Sequence, residues 1–250
     1  MSNRSRSSKK APRPGVLMRG ALTAAYAARG QRNGKLWIQY SAKAKKDVAF
    51  ATELAYVHFL YVESSFEATH VEYTPDEKVT RAVGACFVEY VDAAIKLANG
   101  DVVWRHVCAD NESDASKSLG AQLAVLLEHV RMPDGAPTPR LEFLTHQQLL
   151  ASEMRIRNWH RVAAWLAAAR DWELHEYQTE VAALIRRAGR VEFQDVLALG
   201  KGGERGCLYG AALLQQLQRG AYQTNLFDAP FTLRSVFSQR LAPARQGMSS

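Results

Sequence analysis

What this 250-residue chain lacks bounds it first. Cysteine is scarce: Cys86, Cys108 and Cys207 have neither a CxxC pair nor metal-finger spacing. That excludes a disulfide framework and a zinc-finger scaffold, and it fits free thiols in a reducing compartment. Long hydrophobic runs are missing as well. No stretch of about 18 uninterrupted apolar residues occurs, so no membrane span is expected. The basic, Ser-rich start is not followed by the apolar core of a signal peptide. His58, His70, His129, His146, His160 and His175 show no HxxxH or HExxH spacing and read as ordinary residues. Gly200–Gly206 is glycine-rich but lacks a Gly-Lys-Ser/Thr ending and a preceding strand, which excludes a nucleotide-binding loop.

The last absence is acid at the start of the chain. Residues 1–46 carry 12 Lys/Arg and no Asp or Glu, residues 47–140 carry 7 basic against 15 acidic, and residues 141–250 carry 13 against 10. A wholly basic segment beside an acidic middle is the distribution expected of a nucleic-acid binder with metal-ligand carboxylates at its centre. A solubilising tail around an ordinary core carries the same charges.

Four stretches follow from pattern. Residues 1–35 read as a basic flexible arm, with a short helix expected over Val16–Ala28. Residues 36–150 read as an α/β unit. A helix is expected over Asp47–Leu60, from Val48, Ala51, Leu54, Ala55 and Val57. Extended segments follow at Phe66–Tyr73, Phe87–Leu97 and Val102–Ala109, the last two joined by an Asn99-Gly100 turn. A helix repeats through Leu119, Leu123, Leu126, Leu127 and Val130. A breaker-rich linker and a strand at Leu141–Thr145 complete a mixed sheet flanked by helices. Residues 151–240 turn helical at 155–170, 173–188, 191–199 and 207–218, and return as an extended arm at Tyr222–Phe227. Three short helices followed by a β-wing is a winged-helix-like layout. Residues 241–250 read as a tail.

The chemistry concentrates on Glu53 and Asp92. An acid inside the apolar run Val88–Ile95 is costly unless it is paired or functional. Two carboxylates meeting at one sheet edge are the minimum for holding Mg²⁺ or Mn²⁺ beside a phosphodiester. Both acids read equally as salt-bridged structural residues. Hairpin register bears on the choice. A two-residue Asn99-Gly100 turn places Asp92 on one face with Arg105 and Val107, so that Arg105 neutralises it. A three-residue loop places it with His106 or Cys108 instead.

Glu53 with its helix, Tyr90-Val91-Asp92 followed by Gly100, and Leu144-Thr145 leading to Asn158 resemble the restriction-endonuclease-like PD-(D/E)XK fold. Together with Leu213-Leu214 and the run Gly220–Leu226, they resemble in particular the TnsA-type endonuclease subunit of heteromeric transposases, over most of residues 36–238. The resemblance implies metal-dependent cleavage at transposon DNA ends, with Glu53 and Asp92 as the Mg²⁺ or Mn²⁺ ligands. His106 and Lys117 complete the catalytic set. The sequence departs from the family where it matters: His106 and Cys108 stand where a carboxylate or glutamine and a lysine belong, and Asp92 lacks the preceding proline. The implied partners are double-stranded DNA, a transposase subunit cutting the other strand and an ATPase regulator, in the nucleoid-associated cytoplasm of a bacterium. Arg13, Lys45, Lys46, Lys201, Arg205 and Arg219 are the expected DNA contacts, to phosphate rather than to bases. The alternative is a catalytically inactive DNA-binding or assembly subunit that keeps the nuclease fold.

Overall fold

The computed structural model describes residues 36–108, 114–130, 132, 135 and 137–240. It opens with an antiparallel hairpin, β1 (Trp37–Ser41) and β2 (Lys46–Phe50), closed by a turn in which Lys45 has φ 55°. The stretch from Asp47 was expected to begin a helix. It is a strand instead, because Val48 and Phe50 are buried at period two and its backbone pairs with β1. Helix α1 (Glu53–Glu63) starts only after Thr52, whose hydroxyl accepts the Ala55 N–H at 3.1 Å.

After β3 (Ala68–Glu72) and α2 (Asp76–Val83), residues Ala85–Tyr90 form a 3₁₀ turn where an extended segment was expected. Gly84, at φ 105°, breaks the chain direction there, and the buried pair Phe87 and Val91 is spaced four apart, a helical interval. Then come β4 (Ala93–Leu97), β5 (Val102–Cys108), α3 (Asp114–His129) and β6 (Arg140–Thr145). The sheet order is β3-β4-β5-β6, antiparallel across the first three and parallel between β5 and β6. A parallel neighbour needs a crossover, and α3 lies within it. This is a mixed four-stranded sheet with helices on both faces. Ala93, Ile95 and Val103 pack on the side of α1, whereas Ala94 and Trp104 pack with Leu123 and Leu127 of α3.

The rest of the chain is α4 (His146–Leu150), α5 (Glu153–Ala168), α6 (His175–Ala188), β7 (Arg190–Glu192), α7 (Phe193–Ala198), α8 (Gly203–Gln218), β8 (Tyr222–Thr224) and β9 (Val236–Gln239). The three short strands make a second, antiparallel sheet of order β7-β9-β8. Glycine lets α8 lie close to its neighbours. A Cβ at Gly206 would sit 2.9 Å from the Leu197 carbonyl oxygen, and one at Gly210 would sit 2.8 Å from the Trp165 ring. Asn158 on α5 pins the β8–β9 connection: its amide donates to the carbonyls of Leu226 (2.6 Å) and Ala229 (2.7 Å) and accepts the Phe231 N–H (2.8 Å).

One hydrophobic core runs from Val48 and Phe50 through Phe59, Ile95 and Val103 to Trp159, Leu213 and Phe237. A buried polar cluster crosses it. Glu63, at the end of α1, accepts hydrogen bonds from Ser41 (2.6 Å), Tyr73 (3.0 Å) and Gln218 of α8 (2.8 Å). Lys43, in the β1–β2 turn, donates to the carbonyls of Ser65 and Ala68, closing off the chain just beyond α1. Burial raises the carboxyl pKa of Glu63 and pushes Lys43 down to about 8, each partly offset by the other's charge.

Candidate functional site

The β4–β5 connection decides what Asp92 faces. Lys96 pairs with Val102, and the Leu97 N–H donates to the Asp101 carbonyl at 2.8 Å, which leaves Ala98, Asn99 and Gly100 as the loop. Gly100 takes φ 94°, a conformation open to glycine at no steric cost. The loop therefore has three residues, and Asp92, one step beyond the Ala93–Arg105 pair, lies beside His106. The alternative with Arg105 does not form. Arg105 instead pairs with Glu142 on β6 at 2.7 Å.

One Asp92 oxygen, Oδ2, makes both contacts described for the carboxylate. The Val107 N–H donates to it at 2.7 Å, and His106 Nδ1 lies 3.0 Å away. The Asp92 side chain is 41% exposed, and His106 only 12%. The imidazole is flanked by the rings of Tyr90 (5.4 Å) and Phe143 (6.2 Å). Solvent reaches this carboxylate, whose Oδ2 accepts the Val107 N–H and lies beside the His106 ring.

A residue not singled out from sequence stands close by. His58, on the inner face of α1, is 2% exposed, and its Nε2 has no hydrogen-bond partner. Burial pushes its pKa down to about 4. The Asp92 charge opposes that shift, while Arg105 and His106 add to it. His58 is therefore neutral at ordinary pH. The signal that could have found it is its place in an otherwise apolar helix stripe with Leu54, Tyr61 and Val62.

Glu53 lies elsewhere. It is the exposed first residue of α1, about 140° around the helix from His58. Among the described residues its side chain has no hydrogen-bond or ion-pair partner. Lys117 is in the first turn of α3, on the sheet face shared by Trp104 and His106, and its side chain lies outside the described residues. Cys108 ends β5, half-buried. Among the described residues, no group of three or more His, Cys, Asp or Glu side chains is arranged to hold a metal ion. An open groove of about 660 Å³ lies at the far end of the hairpin, lined by Glu67, Asn99, Asp101, Thr138 and Arg140 and away from Asp92.

The expected DNA contacts are dispersed. Lys45 and Lys46 are exposed on the first hairpin, Lys201 and Arg205 are exposed at the start of α8, and Arg219 is exposed at its end. Arg13 lies outside the described residues. From Leu208 to Leu214 every residue of α8 is buried, so among its residues only the first turn (Gly203, Glu204, Arg205 and Cys207) is exposed to solvent. Among the described residues, no helix is long and apolar enough to cross a membrane.

Comparison with protein-family models, with curated proteins and with solved structures finds no match for this chain.

Proposed function

We propose that this chain is a DNA-binding assembly subunit of a transposase that keeps a restriction-nuclease-like core without the cleavage chemistry. The observation that carries the reading is the state of Asp92. Its Oδ2 accepts the Val107 N–H and lies 3.0 Å from His106 Nδ1, while Glu53 is on an exposed helix start. A divalent-cation site for phosphodiester hydrolysis needs converging oxygen ligands. The set Glu53, Asp92, His106 does not converge. The element order α1-β3-α2-β4-β5-α3-β6, with its parallel last strand, supports the restriction-like core. The order β7-β9-β8 around α7 and α8 supports a winged-helix-like second part. The basic first 46 residues support DNA as the partner. On this reading a separate transposase cuts the DNA.

One observation favours the active TnsA-like endonuclease with Mg²⁺ or Mn²⁺. Asp92 and His106 share the sheet face on which the first turn of α3, with Lys117, is laid. Incubating the purified chain with Mn²⁺ and supercoiled plasmid, alone and with its transposase, separates the two. The assembly reading expects duplex binding and no nicking by the chain alone, with an Asp92→Ala variant behaving like wild type in both assays. Nicking that disappears in Asp92→Ala would establish the endonuclease instead.

A further inference from the structure

The second sheet gathers arginines at one end. Strand β9 runs antiparallel to both neighbours, with Arg190 opposite Ser238 and Tyr222 opposite Gln239. The start of β7, the start of β8 and the end of β9 therefore meet at the same edge. Arg190 opens β7, and Arg240 follows β9. Arg186 and Arg187 occupy the last turn of α6, two residues before Arg190 resumes the chain after Ala188 and Gly189. Arg219 caps the end of α8, with Gly220 and Ala221 between it and β8. Two further contacts tie these positions together. The Arg186 charge reaches the Tyr222 phenol, and Arg240 Nη1 would lie 3.3 Å from a Cβ built on Gly220.

All five arginines are exposed, and among the described residues none has an ion-pair or hydrogen-bond partner for its guanidinium. Arg81, Arg105, Arg140, Arg157 and Arg170 face carboxylates, and Arg205 and Arg234 are exposed like the five but lie outside the segments that meet at this edge. Five unneutralised guanidiniums at one edge repel one another unless an anion of matching extent lies across them. Helix-dipole compensation accounts for Arg186 and Arg187 at the end of α6, but not for Arg190 on β7 or Arg240 just after β9.

We propose that this edge is a phosphate-binding surface for duplex DNA, and that the second part of the chain grips the sugar-phosphate backbone there rather than reading bases through α8. This rests on the DNA-binding half of the proposed function and is independent of the state of Asp92. Arginine's planar fork matches phosphate oxygens bidentately. Burial of Leu208–Leu214 leaves α8 only its first turn, with Glu204 beside Arg205, to offer to a groove. A lipid surface is the poorer fit, because the exposed large apolar side chains (Ile38, Val125, Leu126, Phe143, Leu150, Trp172 and Leu233) belong to none of the segments that meet at this edge.

The test is fluorescence anisotropy of a labelled duplex against salt, with the full chain and the variant R186Q/R187Q/R190Q/R240Q. Two smaller variants, R186Q/R187Q and R190Q/R240Q, serve if the fourfold one melts early. The wild-type slope of log affinity against log salt is expected to shrink by about 0.9 for each lost phosphate contact, and the affinity to fall at least about tenfold. Unchanged melting would accompany that loss. A wild type that binds duplex with the variants binding equally well overturns this surface and leaves the proposed function standing. A wild type that binds no duplex overturns both. Arginine-dependent binding to phosphatidylserine vesicles without duplex binding also overturns the proposal.

Discussion

Glu63 and Asp92 are both carboxylates set among apolar neighbours, and the chain treats them in opposite ways. Glu63 is sealed off and accepts three side-chain hydrogen bonds, from a strand, from a segment after β3 and from α8. Removing it would strand donors on several elements at once. Asp92 is partly open to solvent, leans on its own hairpin and touches nothing from the second half of the chain among the contacts described. The sealed acid holds the two halves of the molecule together. The open one, which the proposed reading puts at the place of a nuclease metal ligand, is engaged locally instead.

The largest expected effect breaks the sealed cluster. Glu63→Ala should destabilise the fold by about 3–5 kcal/mol, because it leaves Lys43 as an uncompensated buried charge and Tyr73 and Gln218 without their acceptor. Denaturant unfolding followed by fluorescence measures this. A cost below about 1 kcal/mol would make the cluster dispensable.

Next comes acid sensitivity from His58. Its pKa falls from 6.5 to about 4 on folding, so the unfolded chain binds the extra proton between those values. Its contribution is complete above about pH 6.5, is lost as pH falls, and levels off below about 4, for a total of about 3 kcal/mol. Glu63, whose pKa is raised, contributes with the opposite sign in acid. It is common to both proteins and cancels in the difference between wild type and His58→Gln. Unfolding midpoints across that pH range should converge in the variant. Parallel curves would remove His58 from the acid response.

The open site should matter less. Asp92→Asn weakens a charge-assisted bond from the Val107 N–H at a partly exposed position and should cost about 1 kcal/mol. Glu53→Ala, at an exposed helix start, should fall within about 0.5 kcal/mol. If the two acids proved energetically coupled in a double-mutant cycle, Glu53 and Asp92 would be closer partners than their positions allow.

Much of this arrangement was legible from pattern. The helix carrying Glu53, the strands of the β4–β5 hairpin, β6 and the helix ending at Gln218 follow from periodicity and turn chemistry. Register was legible only as an alternative, because one loop residue reverses every face. Strand β2 was hidden: Val48 lies at helical spacing from Ala51, and only pairing with β1 reveals period two. Strand β9 and the Glu63 cluster were hidden for a different reason. Strand β9 is set by pairing with β7 and β8, and the Glu63 cluster is closed by Gln218 from 155 residues away, and residue type alone does not separate a sealed acid from an exposed one.

The most direct measurement is calorimetry of Mn²⁺ binding to the full chain with a short duplex present, for wild type and Asp92→Ala. The account predicts duplex binding by both proteins and no Mn²⁺ heat that depends on Asp92. Mn²⁺ binding that is saturable in wild type and lost in Asp92→Ala would contradict it and place a working metal centre at the end of the β4–β5 hairpin.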